Sequence, residues 1–99
     1  MTVNAEVPGG AHGAGVAATL LARLDEISTL VDEGKQWKAS EALSGRRWLE
    51  GVDLSGVPAG PLRRAQQWVD AARDVLHSPP VDEQLFRRLL LEARRALAS

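Results

Sequence analysis

The chain has 99 residues, and its twelve Lys and Arg against thirteen Asp and Glu leave a formal charge of -1. This length accommodates one domain, and so balanced a charge gives no bulk attraction for nucleic acid or an anionic bilayer. The absence of cysteine excludes a disulfide framework, a thiolate zinc site and a cysteine nucleophile. Because no apolar run approaches the roughly 20 residues of a membrane-spanning helix and the N-terminus lacks a signal-peptide pattern, we expect a soluble cytoplasmic protein.

The composition predicts an all-α fold. Fifteen Ala and fourteen Leu dominate the apolar residues, whereas Ile occurs once and Tyr is missing. Helices favour Ala and Leu, whereas sheets favour β-branched and aromatic side chains, and no window alternates apolar and polar residues as a strand would. Ten of the twelve basic residues are Arg, a bias that suggests a GC-rich genome, and we expect a bacterial source.

Residues 1–14 are predicted to form a disordered tail and residues 15–99 a single helical domain. The tail contains a proline and three glycines without apolar periodicity, so burying it would not offset the entropy lost on ordering it. Helix 1 is predicted over residues 15–33, because apolar residues recur at steps of four and three and so share one helical face. They are Val16, Leu20, Leu24, Ile27 and Val31. Gly34 is suited to end this helix in the left-handed conformation.

A short second helix is predicted over residues 35–44, ending at Gly45, and a loop follows up to residue 60. The loop contains four glycines and one proline, but also five large apolar residues, namely Trp48, Leu49, Val52, Leu54 and Val57. A solvated linker would not carry so many apolar groups. We therefore expect this loop to pack against the bundle, with one helical turn at residues 46–50.

Helix 3 is predicted to begin around Pro61, since proline is tolerated in a first helical turn, and to end before two consecutive prolines at residues 79 and 80. Helix 4 is predicted to begin at Asp82, a suitable N-cap, with Val81 and Phe86 forming a hydrophobic staple. Its predicted core face consists of Leu85, Leu89, Ala93 and Ala96, with Phe86, Leu90 and Leu97 beside it. Leu24, Ile27, Val69 and Leu89 are expected to be central core residues. These elements predict a small three- to four-helix bundle with a packed loop.

The polar residues form no recognisable catalytic or cofactor site. Only His12 and His77 are available as bases, the first in the predicted tail and the second in the last turn of helix 3, where it is suited to bond exposed carbonyl groups. Asp74 and His77 have the spacing of helical metal ligands, but a bundle metal site needs a second such pair. The segment GVPAGPLRR, residues 56–64, matches no phosphate-binding consensus. We expect no enzyme activity, no metal and no cofactor.

The tryptophans and arginines allow more than one interpretation. Trp37, Trp48 and Trp68 either form a small core that clamps the loop or include one or two exposed anchors, since Trp and Arg are enriched in interface hot spots. Arginine occurs in four adjacent pairs, beginning at residues 46, 63, 87 and 94. Two glutamates of helix 4 are spaced to pair with arginines on the helix surface, which is typical of a solvated face. The predicted pairs are Glu83 with Arg87 and Glu92 with Arg95.

We expect a non-catalytic protein–protein interaction module, a small adaptor or accessory subunit that can also form homo-oligomers. The apolar residues of helix 4 span over half its circumference, more than one side of a small bundle covers, so a partner or a second copy is expected to cover the rest. The candidate interface residues are Phe86, Leu90, Leu91, Arg87, Arg94 and Trp48. Two alternatives remain, a nucleic-acid-binding regulator that uses an Arg-rich helix and a small enzyme or ligand-binding subunit with its site at residues 45–60.

Overall fold

A computed structural model describes the backbone of residues 9–98 and the side chains of residues 15–98. The described chain forms four α-helices, α1 (Gly9–Asp32), α2 (Gln36–Ala42), α3 (Ala59–Leu76) and α4 (Glu83–Ala98). A 3-10 turn at Arg47–Leu49 lies between α2 and α3. Residues 9–98 contain no strand. The predicted all-α fold is confirmed, and so is the helical turn expected within the loop.

The N-terminal boundary of α1 differs from the prediction. The predicted disordered tail falls partly on residues 1–8, which lie outside the described residues, and partly on residues 9–14, whose backbone forms the first turns of α1. The helix thus begins six residues before the predicted start. Extending an existing helix costs less than nucleating one, and the alanines at positions 11 and 14 offset part of the cost of the glycines at positions 9, 10 and 13,.

The helices enclose one core in a four-sided arrangement. α3 and α4, joined by residues 77–82, form a helical hairpin with the most extensive contact between any two elements. α1 packs against α4 and α2 rather than against α3, so α1 and α3 lie diagonally opposite each other. α2 and the 3-10 turn close the remaining side of the bundle, where they contact both each other and α1.

Every described element contributes to the core, and each residue buried in it is apolar. The residues predicted at the centre of helix 1, Leu24 and Ile27, and that of helix 3, Val69, are buried as expected. The remaining buried residues are Leu20, Val31, Ala39, Leu43, Trp48, Leu49, Ala65, Ala72, Phe86, Leu90, Ala93, Ala96 and Leu97. The loop also packs as predicted, because Val52 and Leu54 lie partly buried against this cluster.

The core face of α4 is rotated from the prediction. Phe86 and Leu90 occupy its centre, whereas Leu89 is only partly buried and Leu85 is 42% exposed. The apolar stripe of this helix is so broad that periodicity alone does not define its centre. Phe86 is the largest apolar side chain of the helix, and orienting it inward removes the most apolar surface from water.

Two predicted helix ends are confirmed by backbone geometry and by a cap. Gly34 follows α1 with a positive φ of 80°, a conformation that side-chain-bearing residues adopt only at an energetic cost. The backbone N–H of Leu85 donates to Oδ1 of Asp82 at 3.0 Å, which satisfies one donor of the α4 N-terminus. None of the described helices has the length and apolar character required to cross a membrane.

Candidate functional site

The structure separates the three tryptophans. Trp48, in the 3-10 turn, is only 2% exposed, whereas Trp37 in α2 is 67% exposed and Trp68 in α3 is 38% exposed. The first interpretation, in which all three form a small core, is therefore wrong. The second, in which one or two are exposed, describes the observed arrangement.

Trp48 fixes the loop through a short hydrogen-bond network centred on Gln66 of α3. The indole Nε1–H of Trp48 donates to Gln66 Oε1 at 2.7 Å. The Gln66 Nε2 group donates to the Gly45 carbonyl at 3.0 Å and to Asp70 Oδ1 at 2.8 Å. The amide thus links the loop to α3 through both its oxygen and its nitrogen, and the buried indole N–H is satisfied.

Arg23 of α1 holds the same turn from the opposite side. Its Nη1 donates to the carbonyl oxygens of Trp48 at 3.0 Å and of Glu50 at 2.6 Å. The sequence pattern does not single out Arg23 or Gln66, because their partners in the loop lie between 18 and 27 residues away along the chain. Helical periodicity reports only contacts within one turn or two.

Three of the candidate interface residues are corrected by their burial. Phe86 is fully buried, and Leu90 and Trp48 are each 2% exposed. Their side chains fill the chain's own core and present no surface to a partner. The prediction placed them outside because it assigned the core of α4 to the neighbouring face. It also did not anticipate that the turn carrying Trp48 would pack against α1 and α2, with the indole bonded to Gln66 of α3.

The candidate arginines Arg87 and Arg94 of α4 each pair with an aspartate of α1. Nε of Arg87 donates to Asp32 Oδ1 at 3.0 Å, and Nη1 of Arg94 lies 2.9 Å from Asp25 Oδ1. Both the arginines and the aspartates are seven residues apart, two helical turns, so the pairs form a ladder along one edge of the helix pair. The hydrogen bond and the charge of Asp32 raise the pKa of the Arg87 guanidinium above its usual value,.

The two predicted pairs within α4 are also present. Arg87 lies 3.5 Å from Glu83, and Arg95 lies 3.5 Å from Glu92. All of these α4 ion pairs are largely exposed, so each contributes little to stability, on the order of tenths of a kcal/mol.

Leu91 is the candidate interface leucine that remains accessible. It is 41% exposed and lies four residues after Arg87 and three before Arg94, on the same ridge of α4. The ladder arginines therefore flank it on either side along the helix. An apolar residue between two charged ones is common on protein surfaces and is also common at the rim of an interface.

Trp37 is presented by a short helix that is anchored at several points. Ala39 of α2 and Leu43, which directly follows the helix, are buried, and the Ser40 hydroxyl shares a hydrogen bond with Nε2 of His77 at the end of α3. The Nζ atom of Lys38 lies 5.7 Å from the centre of the Trp37 ring, within the range of a cation–π interaction.

His77 acts differently from its predicted role. Its imidazole bonds to α2 instead of to the exposed carbonyl groups of α3. The backbone N–H of His77 bonds to two of these carbonyl groups, at 3.2 Å from the Arg73 oxygen and 3.1 Å from the Asp74 oxygen. Within residues 15–98, no group of three or more His, Asp and Glu side chains is arranged to hold a metal ion. Asp74 and His77 thus have no third ligand there.

Two clefts adjoin the packed loop. The first, about 370 Å³, lies between α1, α2 and the 3-10 turn, with Ile27, Leu30 and Trp48 among its lining residues. Its charged residues balance, three basic against three acidic, namely Arg23, Lys38 and Arg47 with Glu26, Glu41 and Glu50. The second, about 410 Å³, lies where the start of the loop meets α3. Its lining residues are Arg46, Ala59, Leu62, Arg63, Gln66, Gln67 and Asp70.

Comparison of the chain with family models, curated proteins and solved structures finds no match.

Proposed function

We propose that the chain is a non-catalytic protein-binding module that presents Trp37 as its principal contact, in keeping with the small adaptor or accessory subunit expected from the sequence. The observation that carries the proposal is the 67% exposure of this side chain. A tryptophan offers a large, stiff apolar surface, and its truncation is among the most costly at protein interfaces.

The exposure of Trp37 does not arise from an incomplete fold. The core beneath α2 is already closed by Ala39 and Leu43, which are fully buried, so rotating Trp37 inward would displace side chains that fill the available space. Leaving an indole in water forfeits apolar burial of the order of 2 kcal/mol. A partner surface that covers Trp37 recovers this free energy.

The arginines of α4 favour protein contacts over nucleic-acid binding. Arg87 and Arg94 bond to carboxylates of α1, and Arg95 bonds to Glu92. Among the described residues, Arg88 is the α4 arginine that takes part in no ion pair. Phosphate binding by α4 would require its paired arginines to exchange internal carboxylates for phosphates. The one unpaired arginine of this helix supplies little of the counterion release that supports nucleic-acid affinity.

Site-specific photocrosslinking tests the proposal. A photoreactive phenylalanine analogue replaces Trp37 in the full chain, expressed in the organism that encodes it, and the matched control carries the analogue at the exposed position Gln84 of α4. We expect a discrete adduct from position 37 and none of the same mass from position 84, because only the former lies in the contact.

The adduct also distinguishes partners. A mass equal to two chains identifies self-association, whereas another mass identifies a different protein. Trp37→Ser in the purified chain should then weaken binding to that partner at least about tenfold, with an unchanged far-UV circular dichroism spectrum. No adduct at position 37, or identical adducts at both positions, would refute the proposal.

A further inference from the structure

The second cleft, at the junction of the loop with α3, is lined by both cationic and apolar side chains. Ala59 and Leu62 contribute the apolar surface, and Arg46 and Arg63 contribute the charge. Its volume of about 410 Å³ lies within the range of clefts that bind ligands. The proposed contact at Trp37 does not involve any of these residues.

The hydrogen bonds of Gln66 explain why the two arginines line the same cleft. The Gly45 carbonyl accepts from Gln66 Nε2 at 3.0 Å, which ties the residue before Arg46 directly to α3. Arg63 precedes Gln66 by three residues, one helical turn, so it lies on the same part of the helix. The separation of the arginine backbones is therefore fixed by the fold before any ligand binds.

Neither arginine is neutralised by the rest of the described chain. Arg46 and Arg63 are exposed and take part in no ion pair among residues 15–98, whereas Arg47, Arg87, Arg94 and Arg95 each lie within 4 Å of a carboxylate. The acidic residue of the cleft, Asp70, already accepts a hydrogen bond from Gln66 at 2.8 Å. A hydrogen bond from a neutral amide does not remove the charge of Asp70, so the cleft holds two unpaired guanidinium groups and one carboxylate, a net charge of +1.

We propose that this cleft binds an acidic segment of a partner protein, with a carboxylate between Arg46 and Arg63 and a neighbouring apolar side chain on Ala59 and Leu62. The inference rests on the proposed function in taking the ligand to be a protein. Guanidinium groups match carboxylates with two parallel hydrogen bonds. The cleft supplies two cations, and the chain as a whole has a net charge of -1. This charge suits a single carboxylate better than the many phosphates of a nucleic acid.

Selection from random dodecapeptides displayed on phage, with the wild-type chain as bait, tests the cleft directly. The cleft variant is Arg46→Gln with Arg63→Gln, and the matched control is Arg64→Gln with Arg88→Gln, which removes the same charge from exposed arginines outside the cleft. Enriched peptides are then synthesised, and their binding to each variant is measured by fluorescence polarisation.

We expect the enriched peptides to contain Asp or Glu beside an apolar residue. Their affinity should fall at least about tenfold in the cleft variant and less than about twofold in the control. Enrichment of neutral or basic peptides, no enrichment, or equal affinity for the wild type and the cleft variant would each overturn the inference. Binding of single-stranded DNA or inorganic phosphate would also overturn the inference if it depends on Arg46 and Arg63 and no peptide binds the cleft.

The same peptides separate this inference from the proposed function. Peptides that lose affinity in Trp37→Ser but not in the cleft variant would refute the cleft as the acidic-segment site and leave the role of Trp37 intact. Peptides that lose affinity only in the cleft variant would support the cleft inference, and the role of Trp37 would then be decided by the crosslinking result alone.

Discussion

The hydrogen bond between Trp48 and Gln66 is one of the two bonds through which Gln66 joins the loop to α3, and its removal should have a measurable cost. Trp48→Phe keeps an aromatic ring in the core but deletes the N–H that donates to Gln66 Oε1 at 2.7 Å. The lost bond is worth about 1 kcal/mol. Because Trp48 is 2% exposed, the smaller ring also leaves a void, and we expect a total loss of about 2 to 3 kcal/mol.

A double-mutant cycle separates the hydrogen bond from the packing. Gln66→Met removes the acceptor together with the amide donor that bonds to Gly45 and Asp70, and should cost about 1 to 2 kcal/mol. If Trp48 and Gln66 act as one unit, the double variant should be less destabilised than the sum of the single variants by about 0.5 to 1.5 kcal/mol.

Urea unfolding followed by far-UV circular dichroism provides the three free energies, with equal m values as the control for two-state behaviour. Additive effects within about 0.3 kcal/mol would mean that the two side chains do not act together in solution. Trp48 would then be held by packing and by the bond from Arg23 to its carbonyl rather than through Gln66 Oε1. The bond from Gln66 Nε2 to the Gly45 carbonyl, which fixes the cleft at Arg46, is not tested by this cycle.

Three further predictions concern the bundle itself. Leu90→Ala should lower the free energy of unfolding by about 2 to 5 kcal/mol and Leu89→Ala by less than half as much. A larger loss for Leu89→Ala in urea titrations would mean that the face predicted from the sequence is the core face of helix 4. Arg94→Gln should cost less than about 1 kcal/mol, because its pair with Asp25 is exposed,, and the difference should shrink as NaCl is raised; a salt-independent loss would contradict this. Gly34→Ala should cost about 1 kcal/mol, because φ is 80° there,; an unchanged melting temperature would show that α1 does not need this left-handed end.

The features predicted correctly from the sequence are those that depend on neighbouring residues. Leu24 and Ile27 are buried because the spacing of three fixes their common face once a helix forms. Gly34 and Asp82 mark helix ends because the left-handed conformation and the side-chain cap are properties of single residues. Such signals require no knowledge of which helix packs against which.

The features that were missed depend on the arrangement of helices in space. The face of α4 that turns inward is chosen by α1 and α3 together, and so the sequence placed Phe86 and Leu90 at an interface when they lie in the core. Likewise, the partner of Arg87 across the bundle is Asp32, 55 residues away, and only the closer partner Glu83 lies within reach of a helical pattern. Of the candidate interface residues, Leu91 is exposed as an interface would require, but its role in an interface stays a prediction, and Trp37 was anticipated only as one of three tryptophans that could be exposed.

The shortness of α2 bears on how Trp37 could bind. An isolated helix of seven residues is unstable in water, so α2 exists because Ala39 and Leu43 are buried and because Ser40 bonds to His77. These anchors lie on the inner side of the helix and none of them uses Trp37. The indole is therefore held on a backbone that is already ordered, and the conformational entropy that Trp37 loses on binding is that of its own two side-chain torsions, in addition to the rigid-body entropy lost in any association. A tryptophan on a mobile loop would lose backbone entropy as well, so its position on α2 favours Trp37 as a preorganised contact.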